Sequence, residues 1–269
     1  MKFLRFKNKT NDFNTQTNIK TGLYDGEKVI ELKGDILDYH NADIEKIKER
    51  MIETHSMEDI IIESPTCPSK IICIGLNYKD HAKELNLELP KKPVIFIKPS
   101  SSVNRTEGDL IYPSISKQVD YEGELAVVIG KSCKKVKKEE ADDYIFGYTI
   151  INDVTARDFT LNDGQWTRGK SCDGFAPFGP FIKRDIDPLN QKIITKVNGE
   201  IKQNSNTSQM IFSPQEIIEY ISQTTTLNPG DLIATGTPPG VGPMEAGSTV
   251  EVIIEEIGSL RNYLIKEDE

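Results

Sequence analysis

Short apolar or alternating runs, separated by turn residues roughly every 10–20 positions, dominate the chain and predict many short strands with few helices. Phe3–Phe6, Thr21–Leu23 and Lys28–Leu32 read as strands, the last two joined by the turn Tyr24-Asp25-Gly26-Glu27. Asn8–Asn18 is polar and reads as a loop, and Ile44–Met57 has the spacing of an amphipathic helix. These elements predict a small N-terminal module over residues 1–65, closed by Glu63-Ser64-Pro65-Thr66, ahead of a larger domain over residues 66–269.

The pattern sharpens from Lys70. Ile71–Ile74 is a short buried strand, followed by a helix over Lys79–Leu87 for which Asn77 is the expected cap. Val94–Lys98 is a strand broken by Pro99 and the hydroxyl run Ser100–Ser102. Asp120–Ile129 begins acidic and becomes continuously apolar, and Tyr144–Ile151 is a second such strand that delivers Asn152 and Asp153. Between them, Lys131–Glu140 is a charge run of changing sign, read as a solvated hairpin tip or short helix. Residues 155–165 read as helix or loop, and Gly169–Pro180 as a segment punctuated by glycine and proline. Lys192–Val197 with an Asn198-Gly199 turn, a helix over Ser213–Ser222, Asp231–Thr235, the glycine-rich loop Gly236–Gly242 and the alternating strand Thr249–Ile254 complete the reading. A repeated rhythm of strand and long helix is missing. The expectation is a mixed, β-rich barrel or sandwich-like fold, not a doubly wound α/β sheet.

In an extended strand, alternate side chains share a face, so Glu122 and Glu124 point the same way. Two carboxylates held that close repel unless a cation neutralises them; the competing reading is an acidic strand end in solvent. Asp153, at the end of its own apolar strand, is the natural third oxygen ligand. Three carboxylates suit Mg²⁺ or Mn²⁺, and no cysteine or histidine clusters with them in sequence to favour zinc. His81 and Glu84 stand three apart on the expected helix. That spacing makes either a water-activating pair or an ordinary surface pair. Lys170 is placed to face an anion or developing enolate, or else solvent. Arg157 suits a carboxylate or pairs locally with Asp158. The loop around Thr235, Gly236 and Thr237 offers hydroxyls and backbone N–H groups but lacks phosphate-loop spacing. His40 and His55 receive no role.

Composition narrows the partners. The 269 residues are 37% hydrophobic and 28% charged, enough for a sizeable core, and the net charge of −9 argues against nucleic acid as the main partner. The cysteines at 67, 73, 133 and 172 form no CxxC pair, and no apolar run approaches the roughly 18 residues of a membrane span. A cytoplasmic protein with no membrane partner is expected.

Six ordered stretches carry a resemblance: GLNYKDHAKE (75–84), FIKPSSSV (96–103), DYEGELAVVIG (120–130), GYTIINDVTARD (147–158), QWTRGKSCDGFAPFGP (165–180) and TGTPPGVG (235–242). Together they resemble the fumarylacetoacetate hydrolase family, and more narrowly its short members acting on acylpyruvates, oxaloacetate or homoprotocatechuate-pathway dioates. The resemblance spans roughly residues 70–257. It implies a β-roll or sandwich core of the family's C-terminal-domain type, a homodimer, and Mg²⁺ or Mn²⁺ held by Glu122, Glu124 and Asp153. It further implies His81 and Glu84 as the water-activating pair on a lid segment, Lys170 stabilising the intermediate, and Arg157, Thr160, Thr237 and Gly236 near the substrate. The activity it implies is cleavage of a C–C bond in 2,4-dioxo acids through a pyruvate enolate. The alternatives are isomerisation of a hydroxy-dienedioate, decarboxylation of oxaloacetate, or, remotely, a non-catalytic binding protein. One departure stands out. Acylpyruvate-cleaving relatives often have glutamine where this chain has Thr160, which leaves the exact substrate open.

Overall fold

The computed structural model describes residues 1–9 and 18–267 of the chain; most of the expected Asn8–Asn18 loop lies outside them. In chain order the strands are β1 (Lys2–Asn8), β2 (Lys20–Tyr24), β3 (Lys28–Leu32), β4 (Met51–Ser56), β5 (Ile60–Glu63), β6 (Ile71–Ile74) and β7 (Ile95–Lys98). Then come β8 (Val103–Asn104), β9 (Asp109–Tyr112), β10 (Val119–Tyr121), β11 (Gly123–Ile129), β12 (Ile145–Asn152), β13 (Thr155–Ala156) and β14 (Ala176–Lys183). The last are β15 (Lys192–Val197), β16 (Glu200–Asn206), β17 (Leu232–Ala234), β18 (Gly242–Met244), β19 (Thr249–Ile254) and β20 (Gly258–Lys266). The α-helices are short: α1 (Ile44–Lys48), α2 (Lys79–Glu84), α3 (Arg157–Asn162), α4 (Thr167–Lys170) and α5 (Pro214–Ser222).

One large sheet runs β4-β3-β2-β1-β14-β12-β11-β17-β6-β7, with β5 on β1 and β8 on β14. A five-stranded sheet (β16-β15-β19-β20-β9) and a small one (β13-β10-β18) pack beside it. The chain is β-rich and mixed, as its pattern predicts. The continuous apolar run of β11 follows from burial on both faces. Leu125, Val127 and Ile129 pack with Ile193, Val252 and Ile254 of the five-stranded sheet and Ile217, Ile218 and Ile221 of α5. Ala126 and Val128 face the other way, onto a layer containing Phe3, Ile36, Tyr39 and Ile47. Strands β1–β5 thus extend the large sheet through the Phe3↔Ile182 pairing, and residues of 18–63 cover one of its faces. The turn at Asn198-Gly199 has positive φ at both residues, as a two-residue hairpin requires. No helix among the described residues is long and apolar enough to cross a membrane.

Four local expectations are corrected. Ile44–Met57 is helical only over α1; from Met51 the chain pairs antiparallel with β3, Val29 opposite His55. Nearly every β4 side chain is exposed, so backbone pairing decides its state and the side-chain pattern does not. Helix α2 stops at Glu84, and Asn77 does not cap it. The Asn77 amide instead accepts from the Phe212 N–H and donates to the Phe212 and Thr235 carbonyls, tying three loops together. Asp120–Ile129 is two strands with a break at Glu122. The end of the segment read only as punctuated by glycine and proline, around Pro177, Gly179 and Pro180, lies within the buried strand β14, between β12 and β1.

Candidate metal and enolate site

Strands β11 and β12 pair antiparallel with Gly123 opposite Asn152. That register sets the start of one strand beside the end of the other. At the break, the Glu122 N–H donates to Asn152 Oδ1 (2.9 Å), and the Glu122 carbonyl accepts from the Asp153 N–H (2.9 Å). Carboxylate oxygens of Glu122, Glu124 and Asp153 consequently lie within 4.8 Å of one another, all buried. Glycine is required between the two glutamates, since a Cβ on Gly123 would sit 2.3 Å from Thr195 Oγ1 and 2.9 Å from Val252 Cγ1.

Three cations enter this acidic cluster. Lys170 Nζ lies 2.8 Å from both Glu122 Oε2 and Asp153 Oδ2. Lys98, fully buried, donates to Asp153 Oδ1 (2.5 Å) and the Val154 carbonyl (2.9 Å). Arg157 bridges Asp120 (Nε to Oδ2, 2.8 Å) and Glu122 Oε1. Burial pushes the Asp153 carboxyl up, but Lys170 and Lys98 outweigh it and hold the group below its ordinary value. Burial likewise works against the Lys170 ammonium, and Asp153 with Glu122 overcomes this, keeping it charged. Glu124 is the exception. Its Oε2 accepts from the Gly236 N–H (2.7 Å), and among the described residues no cationic side chain pairs with it. Burial, then the Asp153 and Glu122 charges, push its pKa well above the usual range.

With all four carboxylates ionised (Asp120, Glu122, Glu124, Asp153), three cations leave the cluster one positive charge short, and the shortfall falls on Glu124. An all-oxygen donor set with that deficit fits a hard divalent cation such as Mg²⁺ or Mn²⁺. Glu31, Glu53 and His55 also converge, but Lys20 Nζ already sits 2.7 Å from Glu31.

His81 Nδ1 lies 2.8 Å from Glu84 Oε2, which assigns the proton to Nδ1 and leaves Nε2 as the basic nitrogen. Glu84 Oε1 accepts from the Gly240 N–H at 3.0 Å, so the glycine-rich loop orients the pair. His81 and Glu84 line the same cavity, of about 580 Å³, as Glu122, Arg157, Lys170, Thr160 and Thr237. Ile74, Phe96 and Trp166 supply part of its apolar wall. Gly236 is required by its φ of +95° and by the Asn77 Cβ, 2.8 Å from where its own Cβ would be. The hydroxyls are already engaged: Thr160 donates to the Arg157 carbonyl (2.8 Å) and Thr237 to the Gly123 carbonyl (2.9 Å).

Lys98, Asp120 and Gln203 belong to this site and carry no role in the sequence reading. Lys98 had a signal, for it closes an apolar strand just as Asp153 does. Asp120 stands two residues before Glu122 and so shares its strand parity. Gln203 lies in a largely exposed strand and had none.

The family described as fumarylacetoacetate hydrolase C-terminal matches residues 70–265, the site included. An uncharacterized protein of Methanocaldococcus jannaschii is 61% identical over 202 residues, 75% of this chain and 85% of that one. A rat protein named as a mitochondrial oxaloacetate tautomerase is 46% identical over 211 residues, 74% of this chain and 67% of its own length. The crystal structure of 2-hydroxyhepta-2,4-diene-1,7-dioate isomerase from Mycobacterium marinum superimposes with a TM-score of 0.88 at 36% identity, covering 100% of both chains. A fold shared over the whole chain and a family match that takes in the three clustered carboxylates and the His81–Glu84 pair lead to one conclusion: the chain belongs to the fumarylacetoacetate hydrolase family.

Proposed function

We propose that this protein is a Mg²⁺- or Mn²⁺-dependent enzyme that moves a proton at the carbon next to the carbonyl of a 2-oxo acid, interconverting keto and enol forms. The observation that carries this reading is one cavity lined by Glu122 of the carboxylate cluster, the Lys170 ammonium and His81, whose Nδ1 is engaged by Glu84. The relatives named oxaloacetate tautomerase and dioate isomerase support the same reaction class. A divalent cation held by Glu122, Glu124 and Asp153 would supply Lewis acidity to the substrate carbonyl. Nε2 of His81 takes and returns the carbon-bound proton, with Glu84 holding the ring in the competent tautomer. General acid–base catalysis of this kind contributes about 10²–10⁴-fold. Lys170 offsets the negative charge that grows on the enol oxygen, and the apolar wall excludes water around it.

A second reading is hydrolysis of a 2,4-dioxo acid of the acylpyruvate type, favoured by the intact His81–Glu84 pair. There the same nitrogen deprotonates water, and the leaving group is a pyruvate enolate.

Oxaloacetate and acetylpyruvate, each incubated with Mn²⁺-loaded protein, separate the two. Faster decay of enol absorbance from oxaloacetate without pyruvate release supports proton transfer, and pyruvate from acetylpyruvate supports hydrolysis. His81→Ala is expected to lower either activity by about 10²-fold or more. Wild-type protein that accelerates neither reaction with Mg²⁺ or Mn²⁺ would refute both.

A further inference from the structure

We propose that Gln203 is a positioning residue that sets the spacing of Glu122 and Glu124 and so tunes the affinity of the cation site. The inference rests on the cation reading of that site.

Gln203 lies on β16, in the five-stranded sheet, yet its buried side chain reaches across to the large sheet. Its Oε1 accepts from the Gly123 N–H at 3.0 Å. Its Nε2 donates to Thr237 Oγ1 and to the Pro238 carbonyl, both at 2.8 Å. The partners fix the amide orientation, since Gly123 N–H can only donate and the Pro238 carbonyl can only accept. Thr237 then passes the bond on, its hydroxyl donating to the Gly123 carbonyl at 2.9 Å. A closed ring results: Gly123 N–H to Gln203, Gln203 to Thr237, Thr237 to Gly123 C=O.

Gly123 is the residue between the two glutamates. Its N–H belongs to the peptide shared with Glu122, and its carbonyl to the peptide shared with Glu124. Both planes are therefore pinned by the ring. The strand break at Glu122 makes this necessary, because regular ladder hydrogen bonds do not span that point. Thr237, expected from the resemblance to meet the substrate, has its hydroxyl used in both directions within the ring and acts through Gly123.

The same strand also seats the histidine pair. Two residues on, and so on the same face, Ser205 Oγ donates to Asp80 Oδ2 (2.5 Å) at the start of α2. The loop that Gln203 grips reaches Glu84 through Gly240. One face of β16 thus holds both the carboxylate strand and the acid–base helix.

Mn²⁺ affinity of the folded protein, by calorimetry, is the test, with thermal unfolding in EDTA measured alongside. Gln203→Met keeps the volume and removes all three bonds; Thr237→Val breaks the ring and Thr237→Ser keeps it. We expect Gln203→Met and Thr237→Val each to weaken Mn²⁺ binding by about 10–100-fold, the range for partners that orient metal ligands. Thr237→Ser should bind as wild type does. The double variant Gln203→Met/Thr237→Val should lose little more than either single one, because both break one ring. Should Gln203→Met fail to fold, the valine–serine pair at 237 decides alone. Variants that melt earlier yet bind Mn²⁺ with wild-type affinity overturn the proposal and reduce Gln203 to a structural role. Wild-type protein that binds no Mn²⁺ overturns the cation reading together with it.

Discussion

Replacing Lys98 with methionine keeps most of the side-chain volume and removes one ammonium from the interior. Lys98 and Asp153 are both fully buried, and the ammonium donates to Asp153 Oδ1 and the Val154 carbonyl. Lys170 still faces the other Asp153 oxygen at 2.8 Å, so the aspartate keeps one partner and loses one. Removing one member of a buried pair costs about 3–5 kcal/mol, because the remaining charge is left uncompensated. At roughly 2–4 °C per kcal/mol for a chain near this size, Lys98→Met should melt about 6–20 °C below wild type in EDTA. A cation at the carboxylates supplies the missing positive charge. It stabilises the folded state by mass action, about 2.7 kcal/mol at a hundredfold excess over Kd. In the variant it also relieves the uncompensated Asp153, so the gap to wild type should narrow in Mn²⁺. Circular-dichroism melts of both proteins, with EDTA and with saturating Mn²⁺, give the four numbers needed. A Lys98→Met protein within about 2 °C of wild type in EDTA, taking a wild-type gap of 6 °C or more as the expectation above, would refute the reasoning. So would a gap that Mn²⁺ leaves unchanged.

Glu124→Gln has the opposite sign. It removes the carboxylate that burial, Asp153 and Glu122 disfavour in the charged form, so the variant should melt above wild type in EDTA while losing Mn²⁺ binding in calorimetry. His40, held below its ordinary pKa by burial and then by Arg184, folds best when neutral. Its contribution is present above the unfolded value near about 6.5 and lost as pH falls below it, because only the unfolded chain then takes the proton freely. His40→Phe should therefore flatten the decline in Tm from about pH 7 to 5, read as the difference between two melting series. The edge of β7, unpaired on one side among the described residues, exposes Ile95 and Ile97 with Val94 and Trp166 close by, and we propose it as the face across which two copies pair. Light scattering after size exclusion should give twice the 30.2 kDa chain mass, and Ile97→Lys should shift it toward one chain.

What could be read in the sequence divides along physical lines. Thr249–Ile254 and Lys192–Val197 are strands with the bounds their side chains imply, because one face of each is buried and the alternation is complete. Glu122, Glu124 and Asp153 meet because acidic groups at the ends of adjacent apolar strands converge there, although all three are buried. Met51–Ser56 was illegible, since a strand whose side chains are exposed leaves no mark on the hydrophobic pattern. Pro177, Gly179 and Pro180 disguised β14 by breaking every local rule for a strand, while the flanking sheet supplied the pairing. Lys98, for all that it closes an apolar strand, was passed over for a different reason. A lysine reads as surface until the aspartate that draws it inward is placed beside it.

The position of β14 bears on how the chain can vary. It lies between β1 and β12, and β12 ends one residue before Asp153. Strand β1, outside the stretch matched to the family, is thus two strands away from the strand that delivers Asp153. Substitutions there are free to change identity as long as they keep a hydrogen-bonded neighbour along β14 and an oily cover beneath it. The Mycobacterium marinum isomerase superimposes over the entire length of both chains, so the leading strands belong to the shared shape as well. That layer is part of the common scaffold and not an appendage to it.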